Sequence, residues 1–158
     1  MSSNEQNILI VDDDPVVLKS LKDLLATRGI DANTAIGGRE AIVCLDQKEY
    51  DLVLLDLQMP YVSGHDVMRH IKQNKMNLSI IIVSGETSFE AARDACSQGA
   101  YDFLRKPYAT DELMITINKY EQFSWNTFHN MLQGIFKSVI ELLNIFKIQC
   151  MKSLFGNL

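Results

Sequence analysis

The sequence predicts an α/β fold: a doubly wound five-stranded parallel sheet, (β/α)5, with a C-terminal amphipathic helical extension. Strand-like apolar runs recur at residues 7–11, 31–35, 51–55, 79–83 and 101–104. Segments with helical spacing separate them, and such alternation gives a parallel sheet with helices on both faces and right-handed crossovers. Three of the runs, Ile8-Leu9-Ile10-Val11, Leu52-Val53-Leu54-Leu55 and Ile80-Ile81-Ile82-Val83, are wholly apolar, as strands buried on both faces must be.

The first strand runs into Asp12, Asp13 and Asp14. Asp14-Pro15 is a helix start, with Asp as N-cap and Pro at the first helical position. Val17, Leu18, Leu21, Leu24 and Leu25 follow at helical spacing, and Gly29 ends the helix. Gly37-Gly38 opens a second helix whose inner face is Ala41, Ile42 and Leu45. The third strand ends at Asp56. After a turn from Pro60 to Gly64, Val67, Met68 and Ile71 mark a third helix. The fourth strand ends at Ser84, and an Ala-rich helix over 88–98 stops at Gly99. The fifth strand delivers Lys106-Pro107, and Thr110 or Asp111 caps a fifth helix. The domain so defined covers residues 6–120, leaving 121–158 as the extension.

Composition narrows the function classes. The chain has 158 residues, 47% hydrophobic and 22% charged, which is ordinary for a globular protein. Its net charge is −5, concentrated in residues 1–120, which carry 12 basic and 18 acidic side chains. No Lys/Arg-rich stripe is present, so direct nucleic-acid binding is not expected. Cys44, Cys96 and Cys150 are odd in number and widely spaced, which suits reduced thiols in a cytoplasmic protein. The polar start, Met1 to Asn7, has no apolar core of a secretory signal, and no apolar run is long enough for a membrane span.

Open α/β sheets bind ligands at the carboxyl ends of their strands. Here those ends bring Asp12, Asp13, Asp56, Ser84 and Lys106. Taken singly, each has an ordinary reading: a salt-bridged carboxylate, a turn serine, a surface lysine. Together they form a site for a divalent metal and a phosphoryl group. Mg²⁺ prefers oxygen ligands and few protein groups, which suits Asp13 and Asp56 as direct ligands, with Asp12 ligating or holding a metal-bound water. Transfer of a phosphoryl group to a carboxylate makes an acyl phosphate and needs neutralisation of negative charge. Lys106 supplies a cation for it, and Ser84 a hydrogen-bond donor.

The motifs ILIVDDDP, LVLLDLQMP followed by Ser63-Gly64, IIIVSGE and GAYDFLRKP resemble the receiver domain of two-component response regulators, over about residues 6–120. The resemblance implies a CheY-like, flavodoxin-like fold in which Asp56 accepts phosphate from a histidine kinase or phosphotransfer protein. It implies that Asp12 and Asp13 serve Mg²⁺ and that the main-chain carbonyl of Gln58 is a further ligand. It makes Ser84 the switch hydroxyl, Lys106 the site lysine, Phe103 the aromatic switch residue and Lys106-Pro107 a cis bond. Phe103 stands where tyrosine is common, so its ring has no hydroxyl to engage. Gln58 and Glu86 lie two residues beyond Asp56 and Ser84, where they are expected to control water's access to the acyl phosphate. An unchanged dephosphorylation rate on replacing both with alanine would rule that out.

Haloacid-dehalogenase-type phosphatases also use a strand-end Asp, but need a second carboxylate two residues later, where this chain has Gln58. No enzymatic activity is therefore expected beyond autophosphorylation and autodephosphorylation. His65 and His70 read as inert residues of a surface helix.

The extension is patterned but contains no recognisable output module. Leu132, Ile135, Val139, Leu142 and Phe146 form a stripe, opposite a narrow polar face that includes Gln133, Lys137 and Glu141. A helix this apolar needs to be covered. Homodimerisation through paired extensions is the preferred reading, ahead of folding back onto the domain or lying on a membrane surface. Residues 126–135 are similar to the phosphoacceptor helix of dimerising histidine-kinase domains, with Asn126 at the histidine position. His129 fills it only in a poorer register and otherwise reads as a helix-surface residue. The expected function is a phosphorylation-dependent switch that changes conformation or dimer packing to control a partner. The alternative is a constitutive dimeric adaptor, or part of a longer regulator or hybrid kinase, with a vestigial site.

Overall fold

A computed structural model describes residues 7–85 and 97–120, together with positions 122, 131, 132, 134, 135 and 137. The chain separates into two compact units, Met1–Leu113 and Met114–Leu158. The first unit holds five strands: β1 (Ile8–Asp12), β2 (Ala32–Ile36), β3 (Leu52–Leu55), β4 (Ser79–Ser84) and β5 (Asp102–Arg105). They form one all-parallel sheet in the order β2-β1-β3-β4-β5. The chain leaves β1 toward β2 and returns on the other side for β3, which puts the switch point, and the crevice, between β1 and β3. In that register Val11 lies beside Leu55, so the next residues, Asp12 and Asp56, emerge together at one edge.

Helix α1 (Pro15–Ala26) begins as its sequence requires. The Asp14 carboxylate accepts the Val16 N–H at 2.8 Å, and Pro15 is the first helical residue. Leu18, Leu21 and Leu25 are its buried stripe. It closes through Gly29, whose φ of +76° lets the Ile30 N–H reach back to the Leu25 carbonyl at 3.1 Å. Helices α2 (Gly37–Gln47) and α3 (Gly64–Gln73) cover the sheet face opposite α1. There Ala41, Leu45, Val67, Met68 and Ile71 pack with Leu9, Val11, Val53, Leu55, Ile80 and Ile82 in one cluster. The strand period of two leaves Ile8, Ile10, Leu52, Leu54 and Ile81 for the α1 side, all essentially without solvent exposure. Burial of each such side chain contributes roughly 1.5–3 kcal/mol, so two-faced burial of short strands is what holds the site's platform rigid.

Two details differ from the sequence reading. A helix over residues 110–120 starts at residue 110, so the cap position is Ala109, whose carbonyl accepts the Leu113 N–H at 3.3 Å. Thr110 and Asp111 sit inside the first turn, where an acidic group is favourable against the helix dipole. His70 is also more than a surface residue of α3: its Nε2 lies 2.8 Å from the Asp46 carboxylate on α2, tying the two helices together. The expected helix over 88–98 falls largely on residues 86–96, outside the described residues, as do Glu86, Asn126, His129, Cys96 and Cys150. Cys44 is a free, half-buried thiol.

Candidate functional site

The carboxyl edge of the sheet gathers the strand-end residues. One carboxylate oxygen each from Asp12, Asp13 and Asp56 lie within 4.8 Å of one another, with Asp12 and Asp56 buried and Asp13 exposed. Backbone hydrogen bonds fix both buried groups. Asp12 Oδ1 accepts the Asp14 N–H at 2.9 Å, and Asp56 Oδ1 accepts the Gln58 N–H at 2.9 Å. The Asp56 N–H continues the sheet by donating to the Val11 carbonyl at 2.9 Å. The second oxygens of both carboxylates share one cation. Lys106 Nζ donates to Asp12 Oδ2 at 2.6 Å and to Asp56 Oδ2 at 2.5 Å.

These contacts set the electrostatics. Burial pulls the Lys106 ammonium toward neutrality, but its bonds to Asp12 and Asp56 and their charges outweigh that, leaving its pKa above the ordinary 10.5. One ammonium among three carboxylates leaves two negative charges uncompensated in a crevice of low dielectric. A hard divalent cation matches both that deficit and the all-oxygen donor set, so the residues present fit Mg²⁺. Gln58, whose main-chain carbonyl is the other expected ligand, is anchored at the site through its own N–H.

Of the remaining expected residues, Ser84 reaches the same edge, while Phe103 lies within β5 opposite Ile82. Ser84 ends β4 with no solvent exposure, and its carbonyl accepts the Lys106 N–H at 2.9 Å. The Lys106-Pro107 bond is cis. Phe103 is half-buried on β5 and packs against the core cluster beneath α2 and α3.

Sequence reasoning named Gly38, Ser63 and Gly64 but missed that they shape the rim. A β-carbon on Gly64 would lie 2.2 Å from the Asp56 carbonyl oxygen, and one on Gly38 would lie 2.3 Å from the Val62 carbonyl oxygen. Glycine at both places lets the α2 and α3 amino ends close onto the loop that follows Asp56. Ser63 caps α3 with a reciprocal pair: its side chain accepts the Asp66 N–H, and the Asp66 carboxylate accepts the Ser63 N–H at 3.0 Å. The Ser-x-x-Asp spacing was the available signal for that cap. Tyr108, two residues beyond Lys106, also feels the site. Its pKa is raised, first by burial, with Lys106 lowering it and Asp12 and Asp56 raising it.

A groove of about 560 Å³ lined by Asp46, Lys48, Glu49, Asp51 and Lys75 lies at the opposite, amino edge of the sheet. It shares no residue with the acid cluster.

Comparison with known proteins agrees with this geometry. The response regulator receiver domain family matches residues 8–118. The luminescence regulatory protein LuxO of Vibrio campbellii is 36% identical over 109 residues, covering 69% of this chain and 24% of that protein. The cell cycle transcriptional regulator CtrA of Caulobacter vibrioides is 32% identical over 111 residues, 70% of this chain and 48% of that protein. The chain thus matches between about a quarter and a half of the length of these relatives. The receiver domain of a LuxO repressor protein from Vibrio parahaemolyticus superposes with a TM-score of 0.74 at 28% identity, over 78% of this chain and 95% of that one. A response regulator receiver protein from Pseudomonas putida gives a TM-score of 0.69 at 39% identity, over 74% of this chain and 98% of that one. This chain belongs to the response regulator receiver domain family of two-component systems.

Proposed function

We propose that the chain is a phosphorylation-dependent signalling switch in which Asp56 accepts a phosphoryl group and the resulting change controls a partner. The observation that carries this reading is the shared ammonium: Lys106 bridges Asp12 and Asp56 beside Asp13, at a switch-point crevice. Receiver domains interact with histidine kinases or phosphotransfer proteins and bind Mg²⁺ at an acidic cluster.

In the proposed reaction an Asp56 carboxylate oxygen attacks phosphorus, the N–P bond of a phosphohistidine breaks, and the imidazole leaves with its electron pair and takes up a proton. Lys106 follows the charge from the carboxylate to the phosphoryl oxygens, and the Ser84 hydroxyl donates to one of them. Asp12, Asp13, Asp56 and the Gln58 carbonyl would hold Mg²⁺, which would supply further charge neutralisation. Later attack by water on phosphorus returns Asp56 to the carboxylate. Phosphate engagement by Ser84 and Lys106 biases a two-state equilibrium that Phe103, on the adjoining strand, takes part in.

The output is a change in conformation or in the packing of a homodimer formed through residues 121–158. Support comes from the apolar stripe and from Met131 and Ile135, one helical turn apart and 53% and 52% exposed.

The central reading is tested by incubating the full chain with radiolabelled acetyl phosphate, with Mg²⁺ or with a chelator. Label should require Mg²⁺ and vanish in Asp56→Asn. Label that survives the substitution, or ignores the chelator, overturns it.

A further inference from the structure

The rim of the crevice carries one side chain in an unusual state. Tyr61 has a φ of +65° and is 99% exposed. The Val62 N–H donates to the Pro60 carbonyl at 2.8 Å, so Tyr61 is the central residue of a γ-turn with positive φ, a strained form for a bulky residue. Strain of this kind persists only where the surroundings enforce it, and here they do. Val62 is packed on Gly38 and Gly64 on the Asp56 carbonyl, with no room for a β-carbon at either contact. The fold therefore fixes the backbone that presents a large aromatic ring to water, beside the acid cluster, at a cost in backbone strain.

Tyr61 stands over a groove of about 490 Å³ together with Ile36, which is 53% exposed, the exposed Arg39, and Asp13. An exposed aromatic, an aliphatic and an arginine are the composition of interface anchors. Asp13 is common to this groove and to the acid cluster, so the patch is continuous with the phosphoryl site. That continuity selects the occupant. Asp56 is 6% exposed at the bottom of the crevice, so a phosphohistidine reaches it only if the protein carrying it covers the rim.

We propose that Tyr61, with Ile36 and Arg39, is an anchor for the phosphodonor protein, used for docking and not for the chemistry. This rests on Asp56 being the phosphoacceptor. The ring inserts into the donor's surface beside its phosphohistidine, and the fixed γ-turn spares the cost of ordering the main chain that carries it.

The experiment uses the full chain with two donors: acetyl phosphate, and the autophosphorylated histidine kinase that transfers fastest to the unmodified chain from a panel. Tyr61→Ala removes the ring, Tyr61→Gly removes both ring and strain, and Tyr61→Phe keeps the ring. Both truncations should label from acetyl phosphate at the unmodified rate, yet show about tenfold lower kcat/KM from the kinase, mainly through KM. Tyr61→Phe should restore kinase transfer. Equal losses with both donors would overturn docking in favour of a role in the site's own structure. No loss with either donor, or an effect only on the sedimentation of the phosphorylated chain, would also overturn it, the latter pointing to a second copy as occupant. A chain that takes no label from acetyl phosphate fails at Asp56 itself, a separate result.

Discussion

Lys106 and Asp56 are 50 residues apart in sequence and 2.5 Å apart in space, and the same ammonium holds Asp12 at 2.6 Å. Neither buried carboxylate keeps its ionic partner if that lysine is lost. Lys106→Met should therefore destabilise the Mg²⁺-free chain by on the order of 3 kcal/mol, the cost of stranding buried charge. Added Mg²⁺ should recover much of it, and urea denaturation with and without the ion measures both.

The pH dependence of that pair has a definite sign. The Lys106 pKa is raised in the folded chain, so its stabilisation is complete below the ordinary value of 10.5 and is lost as pH rises through the higher folded value. Denaturation midpoints of the unmodified chain and Lys106→Met should therefore differ by a constant amount from neutral pH up to about pH 10 and converge above it.

Gly64→Ala places a β-carbon 2.2 Å from the Asp56 carbonyl oxygen, and backbone has to move to admit it. A loss of about 1–3 kcal/mol in urea denaturation is expected, with a lower rate of labelling from acetyl phosphate. Loss of stability without any change in labelling would show that the loop yields on the α3 side.

Asp14 stands beside two site carboxylates yet is committed to α1, where it accepts the Val16 N–H at 2.8 Å. Asp14→Ala should cost about 1 kcal/mol of stability. Mg²⁺ affinity measured by calorimetry should stay unchanged.

The apolar stripe of residues 121–158 predicts an obligate difference in mass. Analytical ultracentrifugation should find the full chain as a dimer and a 1–120 truncation as a monomer. Two monomers would remove the extension from the output.

The sheet and its chemistry were legible because both rest on local signals. Runs such as Leu52 to Leu55 announce two-faced burial, and a parallel sheet sends every strand's last residue to the same edge, which brings Asp12, Asp56, Ser84 and Lys106 together. What escaped was set by contacts across the fold. Nothing in the sequence around Tyr61 requires a positive φ, which comes from the closing of Gly38 and Gly64 on its loop. His70 finds Asp46 only because α2 and α3 pack side by side. Thr110 and Asp111 both favour helix starts, so the true cap at Ala109 had no distinguishing side chain.

Lys106 and Asp12 are 94 residues apart, and they meet only after four strands have taken their places. A nascent chain that has emerged only through β3 holds Asp12 and Asp56 but lacks the lysine that answers them. Under the proposed function, the complete charge set at Asp56 therefore arrives only with β5, the strand that carries Lys106 to the site.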